Sequence, residues 1–277
     1  MITNNQKKRA QEFLNLHHAN EMLVLPNAWS AGSALVFERQ GFKALATTSA
    51  GIAYTLGYPD GEDIDIDDLC LVVKQITKRI SIPLSVDFER GYGNTIEEIK
   101  ENVKQVILAG AVGINIEDGL ANGTLANLPD QIQIIEAISQ LKDEMDIPFV
   151  INARTCAYWL NVADEENKLA IAIERGNAFS KAGADCIFIP GPLNEMVVEK
   201  LVQEIDAPLN MIANPIFNDF DTMNKIGVKR LSMGSGAVRS VFNHLIKIGD
   251  DYKAGQLDLM TKQPFSYAEA NKFFSLS

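Results

Sequence analysis

One pattern recurs along the chain: a short apolar run that ends near a polar residue or a proline, followed by a longer amphipathic stretch. The runs are 22–26 (MLVLP), 44–49 (ALATTS), 84–88 (LSVDF), 113–117 (GINIE), 149–153 (FVINA), 186–190 (CIFIP), 209–213 (LNMIA) and 230–233 (RLSM). Runs this short and apolar are typical of parallel strands buried on both faces. Eight strand–helix units in succession predict an α/β fold, a (β/α)8 barrel of the TIM type.

Apolar residues at helical spacing fill the segments between the runs. They predict helices over 67–79, 95–109, 130–142, 164–182, 193–205, 219–226 and 236–248. Thr95 and Glu98 form the T-x-x-E pattern of a capping box, and Gly110, Gly183 and Gly227 suit left-handed residues after helices. The alternative is an open doubly wound sheet. The eight units, and the lack of a G-x-G-x-x-G after the first run, favour the barrel.

Length and composition set further bounds. The 277 residues show no linker or composition shift. We therefore expect one barrel domain over 1–277, with 250–277 a C-terminal extension packed on the barrel or on a partner subunit. The net charge of −11 argues against nucleic-acid binding, which needs a basic face. Three cysteines without C-x-x-C spacing indicate reduced thiols. The polar start and the absence of a long apolar run predict a cytoplasmic protein without a membrane segment.

Acidic residues follow three of the runs. Asp87 and Glu89 follow the third, Glu117 ends the fourth, and Asp60 lies in the loop after the second. Active sites of such barrels form at the carboxyl ends of the strands, so these side chains are expected to converge. Four carboxylates would repel one another, and Mg²⁺, which prefers oxygen ligands and keeps several waters, would relieve that repulsion. The alternative is that they are solvated loop charges or helix caps, and for Asp60 the two interpretations are equally weighted.

Other strand-end residues suit an anionic substrate. Arg154 follows the fifth run, and its planar guanidinium matches a carboxylate with two hydrogen bonds, unless it serves a structural ion pair. Ser49-Ala50-Gly51 offers small side chains and backbone N–H groups to an anionic oxygen, although this signal is weak. Trp29 and Asn214 follow the first and seventh runs and are candidate substrate contacts.

Several motifs together resemble the isocitrate lyase/phosphoenolpyruvate mutase superfamily. The segment 87–93 (DFERGYG) is similar to its D-x-D-x-G-[YF]-G signature, 116–118 (IED) to its I-E-D element, and 152–155 (NART) to its A-R-T element. The segments 26–34 (PNAWSAGSA), 48–51 (TSAG) and 59–60 (PD) are similar to further family elements. The similarity runs in order over about residues 20–245, and the motifs are specific in combination.

This resemblance implies a site as well as a fold. It implies Mg²⁺, an α-oxo carboxylate, and an assembly of two or four copies in which the last helix is often swapped between subunits. Asp87 would contact the metal, and Asp60, Glu89 and Glu117 would hold its waters. Arg154 would grip the substrate carboxylate while Ser49 and Gly51 bind its oxygens. Members make or break C–C or P–C bonds through an enolate-like species.

The chain departs from the family in the loop after the fourth strand. Lyases of the family carry K-[KR]-C-G-H there, whose cysteine is an acid/base, whereas segment 119–128 reads GLANGTLANL and has no Cys, His or Lys. The phosphonopyruvate enzymes use lysines and an asparagine in this loop, for which Asn122 or Asn127 could stand in. Glu89 replaces the second aspartate of D-x-D. Cys156 is expected to be a packing residue, and His17, His18 and His244 are expected to be surface or packing residues. Acid/base work then falls to a metal-bound water, a carboxylate or Tyr92.

These observations leave three hypotheses. The favoured one is a Mg²⁺-dependent enzyme that cleaves the C–C bond next to an α-oxo carboxylate, as a decarboxylase or lyase of an oxaloacetate-like acid, with P–C chemistry on phosphonopyruvate or phosphoenolpyruvate as the alternative activity. The catalytic candidates are Arg154, Tyr92 and Asn122. The second hypothesis is a barrel that binds an oxo acid without turning it over, and the third is a structural protein without a metal.

Overall fold

The strands form a parallel barrel in the computed structural model, which describes residues 1–160, 162–262 and 265–275. The strands are β1 (Leu23–Leu25), β2 (Asn27–Ala28), β3 (Leu45–Thr47), β4 (Leu84–Asp87), β5 (Gly113–Glu117), β6 (Val150–Arg154), β7 (Cys186–Phe188), β8 (Leu209–Ile212) and β9 (Arg230–Ser232). Each lies within or at the edge of one of the apolar runs, except β2.

Pro26 divides the first barrel strand into two segments. β1 pairs with β9 on one side, whereas β2 pairs with β3 on the other, so the segments on either side of Pro26 close the ring. Proline has no N–H for a ladder, and its carbonyl oxygen still accepts a hydrogen bond from the Ala46 N–H at 3.0 Å. The nine segments therefore form an eight-stranded (β/α)8 barrel, as predicted.

The helices alternate with the strands. They are α1 (Asn4–His17), α2 (Ala31–Arg39), α3 (Ser49–Leu56), α4 (Ile66–Thr77), α5 (Ile96–Leu108), α6 (Leu128–Glu144), α7 (Glu165–Lys181), α8 (Glu195–Glu204), α9 (Phe220–Ile226), α10 (Gly236–Lys253), α11 (Asp258–Thr261) and α12 (Tyr267–Phe274). The seven predicted helices are present within a few residues of their expected bounds. The capping box of Thr95 and Glu98 begins α5.

The helix α1 lies at the amino ends of the strands. Its Phe13 is fully buried, and a Cβ on Gly113, the first residue of β5, would lie 2.8 Å from the Phe13 ring. Gln6 donates hydrogen bonds to the carbonyl oxygens of Ile107 and Ala111 at 2.7 and 3.0 Å. The barrel end opposite the strand carboxyl ends is thus covered by this helix.

The chain separates into two compact units, Met1–Gly234 and Ser235–Ser277. The first contains every barrel strand, and the second contains α10, α11 and α12. A single domain with an extension over 250–277 therefore stays a prediction. Among the described helices, none combines the length and the apolar character needed to span a bilayer.

Candidate active site

A cavity of about 210 Å³ lies at the carboxyl ends of the strands. Its lining consists of Ser49, Asp60, Gly61, Glu89, Arg90, Glu117, Gly119, Leu120, Ala121, Arg154, Cys156, Trp159 and Leu160. The cavity therefore brings together residues at or after four neighbouring strands, β3 to β6. Its lining combines three carboxylates and two arginines with small or apolar residues.

Asp87, the last residue of β4, is held from several sides. Its Oδ2 accepts hydrogen bonds from the backbone N–H of Ser49 at 3.2 Å and from the Ser49 hydroxyl at 3.1 Å. Its Oδ1 accepts one from the side-chain amide of Asn115 at 3.4 Å. Its own backbone N–H donates to the Thr47 hydroxyl at 2.8 Å. Since Ser49 is the first residue of α3, the partial positive charge of that helix end also favours the carboxylate.

The expectation of free N–H groups over 49–51 needs correction. These residues start a helix rather than an open strand end, and Thr48 caps it by accepting from the Gly51 N–H at 3.3 Å. The Ser49 N–H already binds Asp87. Ser49, Ala50 and Gly51 are all buried beside the cavity, and Ser49 lines it.

A tight turn after β4 carries Glu89 to the cavity. Glu89 and Tyr92 adopt left-handed φ angles of +48° and +54°, which cost non-glycine residues free energy. Gly91, at φ +108°, packs so closely on Ile99 that an added Cβ would lie 2.8 Å from its Cγ2. The turn is held by Glu62, whose Oε1 accepts from the backbone N–H of Arg90 at 2.9 Å and of Tyr92 at 3.0 Å.

Glu89 is a buried carboxyl group in this turn. Burial raises its pKa to about 8, against the lowering effect of a hydrogen bond from Tyr92, and the charges of Asp87 and Asp60 raise it further. The Tyr92 hydroxyl donates that hydrogen bond to Oε1 at 2.7 Å. Burial and the Glu89 charge raise the pKa of Tyr92 as well. Tyr92 therefore acts on Glu89 and does not itself line the cavity.

Glu117 and Arg154 form an ion pair in the cavity wall. They end the paired strands β5 and β6, and the Nη1 of Arg154 lies 2.7 Å from the Oε2 of Glu117. Burial raises the pKa of Glu117 to about 7, although the Arg154 charge lowers it. Burial disfavours the charge of Arg154, yet Glu117 raises its pKa overall. The guanidinium also lies 5.7 Å from the ring centroids of Trp159 and Phe188.

The donor set fits a hard cation such as Mg²⁺. Burial raises the pKa of Asp60, and the Asp87 charge adds to that effect; Asp87 likewise raises the pKa of Glu89 and Glu117. This mutual repulsion is what a divalent ion would relieve. Within the described residues, no three acidic, histidine or cysteine side chains gather closely enough to hold a metal directly. Mg²⁺ keeps several waters, so one direct carboxylate with others bound through water satisfies it.

The cavity lining does not include Ala50, Gly51, Tyr92 or Asp87, nor three further predicted residues, Trp29, Asn122 and Asn214. Trp29 donates its backbone N–H to the Ser33 hydroxyl at 3.0 Å at the start of α2. Asn122 is exposed, and its Oδ1 accepts from the Thr124 hydroxyl at 2.6 Å. Asn214 folds back on its own loop, where its Oδ1 accepts from the N–H groups of Ile216 and Phe217 at 3.0 and 3.1 Å. In this structure each of the three supports a local turn.

Two parts of the cavity were missed by reasoning from the sequence. Trp159 and Leu160 line it from the loop after β6, and Trp159 is 57% exposed. Arg90 lines it as well and pairs with Glu62, with its Nη2 2.8 Å from Oε2. Glu62 could have been recognised from its spacing of two residues after Asp60. Cys156 is buried, which raises its pKa to about 12, in agreement with a packing role.

The loop after β5 folds as a short hairpin over the cavity. Gly119 bridges Leu125, and Asp118 at the base of the hairpin is fully buried. The Asp118 carboxylate accepts from Arg175 at 3.0 Å and from the Cys156 N–H at 2.7 Å, while Arg175 also donates to the Ala126 carbonyl at 2.7 Å. Both ends of the hairpin are thereby tied to one buried ion pair.

A β/α barrel whose strand carboxyl ends carry acidic side chains and a buried arginine defines the class of this protein. Residues 13–250 match the sequence model of the phosphoenolpyruvate phosphomutase family, and the chain belongs to this family within the isocitrate lyase/phosphoenolpyruvate mutase superfamily. The superfamily resemblance predicted from the motifs is therefore confirmed. Members of the superfamily are lyases and mutases, which supports the interpretation that this chain is an enzyme.

Individual relatives are consistent with this membership. An uncharacterised protein of Mycobacterium tuberculosis is 32% identical over 223 residues, which cover 80% of this chain and 81% of the relative. The 2-methylisocitrate lyase of Escherichia coli is 32% identical over 61% of this chain and 57% of its own length. The oxaloacetate decarboxylase of Paraburkholderia xenovorans is 26% identical over 76% and 69%.

A solved structure is similar over nearly the whole chain. The crystal structure of a candidate lyase/mutase of Burkholderia cenocepacia J2315 superposes with a TM-score of 0.91, at 27% identity, over 99% of this chain and 98% of the other. This similarity agrees with the barrel fold described above.

Proposed function

We propose that the protein is a Mg²⁺-dependent enzyme that cleaves the C–C bond next to an α-oxo carboxylate, with an oxaloacetate-like acid as substrate and decarboxylation as the reaction. The observation that carries this proposal is the composition of one cavity. It contains Asp60, Glu89, Glu117 and Arg154, and the hairpin over it offers Gly119, Leu120 and Ala121, with no acid or base.

The reaction fits a hairpin without acid or base chemistry. In decarboxylation the electron pair of the breaking C–C bond moves toward the oxo group, CO2 leaves without a proton, and the substrate carbon takes a proton from water. Cleavage of a hydroxy acid would in addition require a base for the hydroxyl proton. When bound, the metal would supply an electrophile for the charge that develops on the oxo oxygen.

The chain's own residues would bind and shield the substrate. Arg154 would bind the substrate carboxylate in place of Glu117. Ser49, which also lines the cavity, would orient an oxygen of the substrate. Leu120, Ala121 and Trp159 would exclude water from the charge that develops. Asp87 would be the direct metal ligand, with Asp60, Glu89 and Glu117 holding its waters.

P–C bond chemistry is the alternative activity. A phosphonate group carries more negative charge than a carboxylate and needs more cations. The cavity offers Arg154 and Arg90, and Arg90 is already bound to Glu62. The absence of lysine from segment 119–128 therefore favours C–C cleavage.

A substrate comparison tests the proposal. Purified protein is assayed for pyruvate formation from oxaloacetate and from phosphonopyruvate, with Mg²⁺ and with EDTA. We expect EDTA-sensitive turnover of oxaloacetate above its rate in solution, lost in Asp87→Ala and kept in Asp130→Asn, which changes an exposed acid after the same hairpin. Turnover of phosphonopyruvate alone would replace the proposed reaction by P–C cleavage. Oxalate binding without any turnover would indicate a binding protein.

A thermal shift tests the metal and ligand separately from turnover. Mg²⁺ with oxalate should raise the melting temperature, because a ligand that binds the folded state stabilises it by mass action. An unchanged melting temperature at millimolar Mg²⁺ and oxalate would favour a structural protein instead.

A further inference from the structure

A fully buried arginine lies in the barrel interior beneath the acidic cavity. Arg230 is the first residue of β9 and has no exposed surface. Among the described residues, no carboxylate forms an ion pair with it. Burial lowers its pKa to about 10, so it still carries its charge at neutral pH. A buried charge without an ionic partner is costly, and the fold retains it.

The contacts of this arginine lead towards the cavity. The guanidinium lies 5.8 Å from the centroid of the Phe13 ring, and its Nη1 is 3.4 Å from the Nε2 of His17. Its Nη2 donates a hydrogen bond to the Oδ1 of Asn115 at 3.2 Å. Asn115 in turn contacts Asp87, which ends the neighbouring strand.

The side-chain amide of Asn115 can adopt one orientation in this environment. Its Oδ1 receives two donors, the Nη2 of Arg230 at 3.2 Å and the Nδ2 of Asn152 at 2.6 Å. The opposite orientation would place an NH2 group against both donors. The Nδ2 of Asn115 must therefore point to the Oδ1 of Asp87, 3.4 Å away.

We propose that Arg230 is a positioning residue for the metal ligand Asp87 and acts on it through Asn115. The Arg230 guanidinium sets the orientation of the Asn115 side-chain amide, and that amide donates a hydrogen bond to Oδ1 of Asp87. Ser49 donates to Oδ2 of the same carboxylate. The carboxylate is thereby held in one orientation before the ion arrives. This inference rests on the proposed metal site. It gives a role to a buried arginine that takes no part in the proposed reaction.

The experiment measures metal affinity without substrate. Mn²⁺ and Mg²⁺ are titrated calorimetrically into the full-length wild type and into Arg230→Met, Arg230→Lys and Asn115→Leu. We expect Arg230→Met and Asn115→Leu each to weaken binding about 10-fold or more, the range for groups that orient a metal ligand. Arg230→Lys, which keeps the charge, should lose less than Arg230→Met. The double variant Arg230→Met/Asn115→Leu should bind about as weakly as either single variant, because both break one chain of contacts.

Asn210→Leu is the matched control. Asn210 is fully buried and pairs with Arg230 in the neighbouring strand, yet its side chain contacts the Ser232 hydroxyl. It should lose stability without losing metal affinity. Unfolding by urea is followed for every variant, so that lost stability and lost affinity are separated.

Wild-type metal affinity in Arg230→Met would overturn the role of Arg230 and leave the proposed function standing. A loss of metal affinity in Asn210→Leu as large as that in Arg230→Met would do the same. Effects of Arg230→Met and Asn115→Leu that add independently overturn the connection through Asn115. If Arg230→Met does not fold, the comparison of Arg230→Lys with wild type decides. A wild type that binds neither ion overturns the metal site, and the inference with it.

Discussion

Arg154 has an ion-pair partner in the cavity wall and is also the residue proposed to bind the substrate carboxylate. In the structure its guanidinium neutralises Glu117, which ends the paired strand. An incoming carboxylate would compete with Glu117 for the same donors. The ion pair therefore keeps a strong anion-binding group charged and oriented before substrate arrives, while Trp159 and Phe188 flank it.

Two substitutions of Arg154 should separate the effect of its charge on oxalate binding from the effect of its planar hydrogen-bonding geometry. Arg154→Gln is expected to weaken oxalate binding about 100-fold, which corresponds to ~2.7 kcal/mol. Arg154→Lys should recover a small part of that loss, since a point charge cannot make two parallel hydrogen bonds. Calorimetric titration with oxalate in the presence of Mg²⁺ measures both. Equal affinity of wild type and Arg154→Gln would remove Arg154 from the site.

His17 couples stability to pH. It is fully buried, its Nδ1–H donates to the Phe13 carbonyl at 2.8 Å, and burial together with the Arg230 charge lowers its pKa to about 3. The folded protein thus holds His17 neutral, while the unfolded chain binds a proton below the ordinary pKa of about 6.5. The unfolded state binds more protons between pH 6.5 and 3, so the free energy of unfolding falls as the pH falls through that range.

The expected slope from His17 is at most about 1.4 kcal/mol per pH unit. Urea unfolding at pH 7, 6 and 5 should show that wild type loses up to about 2 kcal/mol more than His17→Gln over this range. His18→Gln is the matched control because His18 is the exposed neighbour. Parallel curves for wild type and His17→Gln would mean that His17 is not held neutral.

The sequence located the charged residues at the strand ends and Asp60 in a loop, but not the further loop residues that line the cavity. Asp87, Glu117 and Arg154 each follow an apolar run, so the barrel topology alone brings them to one end. Trp159 and Leu160 reach the cavity through the path of a loop, which local pattern does not encode. The Arg90–Glu62 pair joins positions 28 residues apart, and only the folded turn shows it.

At the scale of elements, strands were more predictable than helices. Buried parallel strands are short apolar runs, and all of them were located within a few residues. The helix α1 was not predicted, because its segment begins with polar residues. The helix α3 was missed since 49–56 is nearly all apolar or small and shows no amphipathic period. Its start at Ser49 changes how Asp87 is held.

The hairpin after β5 depends on the buried pair of Asp118 and Arg175. Asp118→Ala should cost about 3 kcal/mol, because removal of one partner leaves an uncompensated buried charge. Urea unfolding measures the loss. Asp258→Asn breaks an exposed pair with Lys262 and should change stability by less than ~0.5 kcal/mol. A loss in Asp118→Ala no larger than in the control would mean that the pair does not hold the hairpin.

At the scale of the whole molecule, the residues of one barrel serve two ends. The amino ends of the strands carry α1, whose buried Phe13 contributes stability. The carboxyl ends carry the cavity. The contacts from Arg230 through Asn115 to Asp87 connect these two ends of the barrel. A substitution at the α1 end is therefore expected to affect the candidate active site.

The second unit, Ser235–Ser277, carries exposed apolar side chains. Val241, Leu245 and Ile246 of α10 are 46%, 52% and 63% exposed, and Tyr267 of α12 is 87% exposed. Apolar side chains grouped in this way mark interaction surfaces, and a second copy of the chain is the partner that the family resemblance implies.

We therefore expect a homodimer or homotetramer in solution. Light scattering after size-exclusion chromatography should give about two or four times the chain mass of 30.5 kDa. Ile246→Asp should shift the mass toward the monomer, because a charge cannot be buried at an apolar interface without a partner. Lys247→Asp changes the charge of the neighbouring residue by two units instead of one, and it should still shift the mass less if the apolar face is the interface. A wild type that runs as a monomer at micromolar concentration would mean that this face is covered by something other than a second copy.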